Sequence, residues 1–138
     1  MDFAFKLHGL ATGVMLGVIW IVQLLTYPGL RRIPESQFAE AHAAHTSRIT
    51  FVVAPAMALE ALSALGLWMR DPGPFWTLQG LLILANATLT FRFARGPHAR
   101  LVHEKSDAEI TRLIRANLSR CLIWSVRAVS LLLWSPSS

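Results

Sequence analysis

From Leu7 to Leu30 the chain carries no Asp, Glu, Lys or Arg. A helix crosses the hydrocarbon of a bilayer with about 20 apolar residues. Every backbone polar group in lipid must be paired internally, which leaves helices and closed barrels. No stretch of the sequence alternates apolar and polar residues over a strand length, so the expectation is helical. Three further runs behave like the first. The predicted spans are 3–27, 49–69, 75–91 and 118–134, the second interrupted by Pro55 and Glu60, the fourth carrying Arg120 and Arg127. The charge deficit agrees, since 15% of the 138 residues are charged, against about 25% in a soluble domain. The expected fold is all-α, a polytopic four-transmembrane-helix bundle in one domain, 1–138, with short cytoplasmic interfacial helices. The first run has no basic segment beyond Lys6 and no small-x-small site before Tyr27, so it is expected to stay in the protein and not to be a signal peptide.

The connections set topology. Arg70–Pro74 reads RDPGP, a tight turn that makes spans two and three an antiparallel hairpin. Segment 31–48 is expected to form a short helix after Pro34 that runs into the second span. Ser106 with Glu109 three residues later reads as a capping box, starting a helix near Asp107 that runs into the fourth span. With four spans, Lys6 and Arg70 share one side. Arg31, Arg32, Arg48, Arg92, Arg95, Arg100, Lys105, Arg112, Arg115 and Arg120 share the other. Basic residues stay cytoplasmic, so both termini are expected outside the cytoplasm. The same distribution accounts for the net charge of +5 without nucleic acid, because the basic segments hold few aromatic residues for stacking. Cys121 is the one cysteine, which excludes an internal disulfide.

Five polar residues fall inside the spans at related depths. At about 1.5 Å per residue, Glu60 lies roughly 13 Å and Arg127 roughly 12 Å from the same side. On that scale His8 is roughly 8 Å deep, Gln79 roughly 6 Å and Asn86 roughly 16 Å. A charge at the bilayer centre costs about 2.5–3.5 kcal/mol on insertion scales. Glu60 and Arg127 are therefore expected to face each other, with His8, Gln79 and Asn86 completing a polar cluster. Such a cluster can be a clasp that fixes helix order, or a site for a ligand or proton.

Gly9, Gly13 and Gly17 form two overlapping G-x-x-x-G units, a face that admits another helix at close range, in this chain or another copy. Tyr27 is read as an interfacial aromatic. His42 and His45 lie three apart on one helix face and could begin a metal site, with Glu35, His98 or His103 as a third ligand; zinc needs three or four. Interfacial histidines are the simpler reading. Haem would need an axial histidine, and His8, with Met15 or Met57, is the one candidate inside a span. No P-loop, dinucleotide fingerprint, H-E-x-x-H or G-x-S-x-G is present.

Trp20, Gln23, Tyr27, Pro28, Phe38, His42, His45, Arg48, Ile49, Pro55, Met57 and Glu60 form a pattern that resembles a family of uncharacterised small four-helix bacterial integral membrane proteins. That resemblance implies the bacterial inner membrane. The glycine-rich first span and its Tyr-Pro end are more weakly similar to anthrone-oxygenase-like membrane proteins, which implies oxidation of aromatic polyketides but carries no catalytic residue across. Two functions remain open. One is a bundle whose polar cluster binds a lipophilic ligand, a redox cofactor or a proton. The other is an accessory or scaffold subunit of a larger membrane complex or homo-oligomer, held by the glycine face. The cofactor is not specified by the sequence.

Overall fold

A computed structural model describes residues 3–134, and for 93–95 the backbone alone. Residues 1, 2 and 135–138 of the expected domain, and the Arg95 side chain counted on the basic side, lie outside the described part. Four long helices run antiparallel in sequence, and the described residues contain no strand. The first is Phe3–Leu30 and the second Glu35–Arg70. The third covers 74–101, and the fourth is Asp107–Leu133. Three of the four, the first, second and fourth, are long and apolar enough to cross a membrane. The third is α-helical over Pro74–Leu89 for 16 residues, roughly 24 Å, and continues beyond that only through a π-helical turn.

The helices expected after Pro34 and from Asp107 run into the second and fourth spans without a break. Residues 35–48 are the first turns of the second helix. Nothing between Glu35 and Ala54 is a glycine or proline, so no residue breaks the helix there. Segment 95–101 likewise continues the third helix. Ser106 does accept from the Glu109 N–H at 3.4 Å. The Glu109 carboxylate, however, turns to Arg100 and Arg112 at 2.9 and 2.5 Å, so the reciprocal half of the capping box is absent.

Each helix turns a heptad face inward. On the fourth, Ile110, Leu113, Asn117, Arg120, Trp124, Arg127 and Leu131 are buried in alternating steps of three and four, with Glu109 and Cys121 buried beside them. The first helix starts the same way, with His8, Thr12, Met15 and Ile19. A π turn at Val22–Thr26 then inserts one residue. Continued α-helix would bring Thr26 inward; instead Tyr27 and Leu30 are buried. The third helix repeats the device at Thr90–Ala94, after which Leu101 is fully buried and His98 bonds to Tyr27. Both π turns precede a proline, Pro28 and Pro97. Proline has no N–H, and its ring crowds the carbonyl four residues back, here Leu24 and Phe93. Widening the turn relieves that crowding, and the Tyr27 N–H bonds to the Val22 carbonyl five residues back.

Candidate functional site: two buried polar layers

The bundle holds two polar layers. The first lies toward the Asp71–Gly73 turn. Arg127 is fully buried and Glu60 is 2% exposed. Their side chains meet at 2.5 Å. Arg127 also donates from Nε to Gln79 Oε1 at 3.1 Å and reaches His8 Nε2 at 3.4 Å. The Glu60 carboxylate accepts from Thr12 at 2.8 Å and from the Trp124 indole at 3.2 Å. Gln79 donates to Ser130 at 2.7 Å, and Ser130 to the Arg127 carbonyl at 2.8 Å.

Hydrogen counting fixes the His8 tautomer. A guanidinium only donates, so His8 Nε2, 3.4 Å from Arg127 Nη2, accepts. His8 Nδ1, 2.9 Å from Ser63 Oγ, must then be the donor. His8 is thus a neutral, saturated member of the network and offers no free nitrogen to haem. Met15 and Met57 pack instead with Ile19, Cys121 and Trp124. Trp76 closes the layer edge-on to His8, with ring centroids 5.7 Å apart.

The structure therefore brings together four of the five expected cluster residues, His8, Glu60, Gln79 and Arg127. Asn86 stands apart. It is buried, but neither side-chain polar atom has a partner. Seven residues from Gln79 keep it on the same face but move it about 10 Å along the axis, out of reach of the ion pair.

The second layer lies toward the longer connections. A chamber of about 350 Å³ opens among all four helices, lined by Tyr27, His45, Thr90, His98, Asn117, Arg120 and an apolar wall from Val18 to Val53. The start of each π turn, Val22 and Thr90, borders it. Arg120 is 6% exposed. It touches Asn117 Oδ1 at 3.4 Å and lies 5.4 Å over the Trp124 ring, but no carboxylate pairs with it among the described residues, and its Nε has no partner. Asn117 is held by the Ile19 carbonyl and Gln23 at 3.2 and 3.0 Å. From the chamber wall a chain of side chains leads to the buried His42. Tyr27 OH lies 3.1 Å from His98 Nε2, and His98 Nδ1 lies 3.0 Å from His42 Nε2. The far nitrogen of His42, Nδ1, is buried without a partner.

Tyr27 is thus an interior residue and not an interfacial anchor, because the π turn rotates it inward. His42 meets His98 directly, while His45 lies beside Tyr27 with ring centroids 6.3 Å apart. No group of three or more His, Cys, Asp or Glu among the described residues is placed to hold a metal ion. The glycine face is also open. A Cβ added at Gly9, Gly13 or Gly17 would meet nothing within 4 Å, so these glycines make no tight contact within the chain.

Burial lowers the pKa of His42, His45 and His98, that of His98 to about 4, with neighbouring charges adding to the effect on His42 and His98. The unfolded chain takes up these protons as pH falls below about 6.5, the usual histidine value, while the folded chain resists until lower pH. Proton binding then favours the unfolded state. Stability contributed by neutral His98 is complete above that value and is lost as pH falls toward about 4. Thermal unfolding in detergent between pH 7.5 and 4 should show this fall, and His98→Gln should flatten it. A variant with the wild-type slope would refute the assignment.

No protein-family model matches this chain, and neither a curated protein nor a solved structure matches it. The reading of the site rests on its own geometry.

Proposed function

We propose that this protein crosses the membrane four times and binds, in the chamber near its longer connections, a lipophilic molecule with an anionic or strongly accepting oxygen head. The observation that carries this reading is Arg120. A buried cation without an acid is costly, and this one borders a cavity whose other walls are largely apolar. Pockets with apolar walls and a few convergent polar groups are the usual form of small-molecule sites. The unsatisfied atoms of Asn86, His42 and Arg120 all belong to this half of the bundle. The Glu60–Arg127 layer is closed on itself, and it serves as the clasp that fixes the four inner faces against one another.

Native mass spectrometry of the protein extracted gently from its own membranes tests the reading. The wild type should carry one small lipophilic adduct, and Arg120→Gln should lose it or hold it at least tenfold more weakly. An adduct that survives unchanged would remove Arg120 from the site.

The basic residues support an orientation with both longer connections in the cytoplasm of a bacterial cell. Thiol labelling of cysteines introduced at Ser36 and Pro72 in Cys121→Ser protein should find residue 36 reachable only from the cytoplasm and residue 72 only from outside. The reverse pattern would overturn that orientation.

A second reading keeps a specific observation. The open glycine face of the first helix suits a helix from another chain, as in a scaffold subunit or a homo-oligomer.

A further inference from the structure

We infer that the seam between the third and fourth helices binds the phosphate headgroup of an anionic phospholipid. This rests on the membrane crossing proposed above and not on the chamber. A concavity of about 570 Å³ opens in that seam. Four arginines line it, Arg92, Arg100, Arg112 and Arg115, together with Ser119 and Leu89, and no acidic residue does. All four arginines are exposed. Membrane topology asks only that basic residues stay on one side. It does not ask four of them to converge on one hollow. The fold does that. Lining positions 89, 92, 96 and 100 on the third helix step by three or four, as do 112, 115 and 119 on the fourth, so each set shares one helix face.

The seam has two levels. At the outer one, Glu109 meets Arg100 and Arg112 at 2.9 and 2.5 Å, which fixes both guanidinia. Arg92 lies eight residues before Arg100, roughly 12 Å nearer the hydrocarbon. Arg115 lies three residues inward of Arg112, roughly 4.5 Å. Neither Arg92 nor Arg115 meets a carboxylate among the described residues. One carboxylate against four guanidinia leaves a strong positive excess. Guanidinium presents paired N–H donors that match phosphate oxygens, and basic pockets between membrane helices hold lipid headgroups in this way.

The hydrocarbon side of the seam selects a lipid over a free anion. Leu122 and Val126 stand seven and eleven residues on from Arg115, on its face, and are 55% and 57% exposed. A headgroup held at Arg92 and Arg115 lays its acyl chains along them. Soluble phosphate has nothing to put there. The apolar groove of Ala61, Ala64, Leu65, Trp76, Gly80 and Leu84 has about 390 Å³ but no charged side chain, so it offers nothing to select a headgroup.

Native mass spectrometry tests the site by titrating the delipidated full-length protein in detergent with dioleoylphosphatidylglycerol or dioleoylphosphatidylcholine. The two share a phosphate and acyl chains, but the choline cation opposes the arginines. The wild type should bind the glycerol lipid at least about tenfold more tightly. Arg92→Gln with Arg115→Gln should remove that preference. Arg32→Gln with Arg48→Gln takes as much charge from the same side, away from the seam, and should keep it. All four positions are exposed, so both double variants should fold. Arg120→Gln should also keep it; loss there would place the lipid in the chamber and overturn the pocket. No preference in the wild type, or equal losses or none in the two double variants, would overturn the pocket. Displacement of the lipid by millimolar inorganic phosphate would do the same. Each of these results leaves the membrane crossing standing. Release of the protein from its membranes by alkaline carbonate without detergent would overturn the crossing, and the pocket with it.

Discussion

Replacing Glu60 with alanine is expected to destabilise the fold by about 3–5 kcal/mol, the usual cost of leaving one member of a buried ion pair without its partner. The case is severe here because Arg127 is fully buried. Its remaining partners are Gln79 and His8, both neutral. The indole of Trp124 and the hydroxyl of Thr12 also lose their acceptor. Glu60→Gln should cost less, since it keeps an oxygen for these donors. The double substitution Glu60→Leu with Arg127→Met should recover much of the loss, because apolar replacement of a whole buried pair is often neutral or better. Unfolding in a mixed-micelle SDS titration measures all three. If Glu60→Ala unfolds within 1 kcal/mol of wild type, about the worth of an exposed pair, the clasp reading fails.

Trp124 joins the two layers. Its N–H points to Glu60, Arg120 lies over its ring, and the side chain is 1% exposed. Trp124→Ala should cost about 3–5 kcal/mol through the cavity it leaves. Trp124→Phe keeps most of the ring and removes the donor to Glu60, for about 1–3 kcal/mol. The two substitutions separate packing from hydrogen bonding. Only the alanine variant should also weaken ligand binding, by releasing Arg120 from the ring that holds it. Equal losses of stability in both variants would show that the indole N–H, and not the ring, is what the fold uses.

The architecture is legible wherever heptad spacing or depth carries it. Glu60 and Arg127 enter from opposite chain directions at nearly the same depth, and a pair of buried charges has few alternatives to meeting. Gln79 falls within one long side chain of that level, and His8 reaches it through Nε2. Asn86 shares Gln79's face, but sharing a face does not mean sharing a depth. The second layer is harder to read because it depends on two π turns. Helical periodicity alone points Thr26 inward and leaves Tyr27 at the interface. Pro28 and Pro97 are the available signals, each inside an otherwise helical stretch, where a proline must distort the turn before it. Arg120 could also have been placed from its spacing, since it stands seven residues before Arg127 on one face. The glycine face shows a different limit. Its spacing says that a helix can approach, but not which chain supplies it.

The most direct test of the central claim is photolabelling in native membranes with a long-chain carboxylic acid bearing a diazirine near its head, followed by peptide mapping. The chamber predicts labels at its apolar wall, on Val18, Ile49 or Val53, and their loss in Arg120→Gln. Labels confined to the groove around Leu65 and Leu84, or spread over the lipid-facing side chains and unchanged by Arg120→Gln, would contradict it.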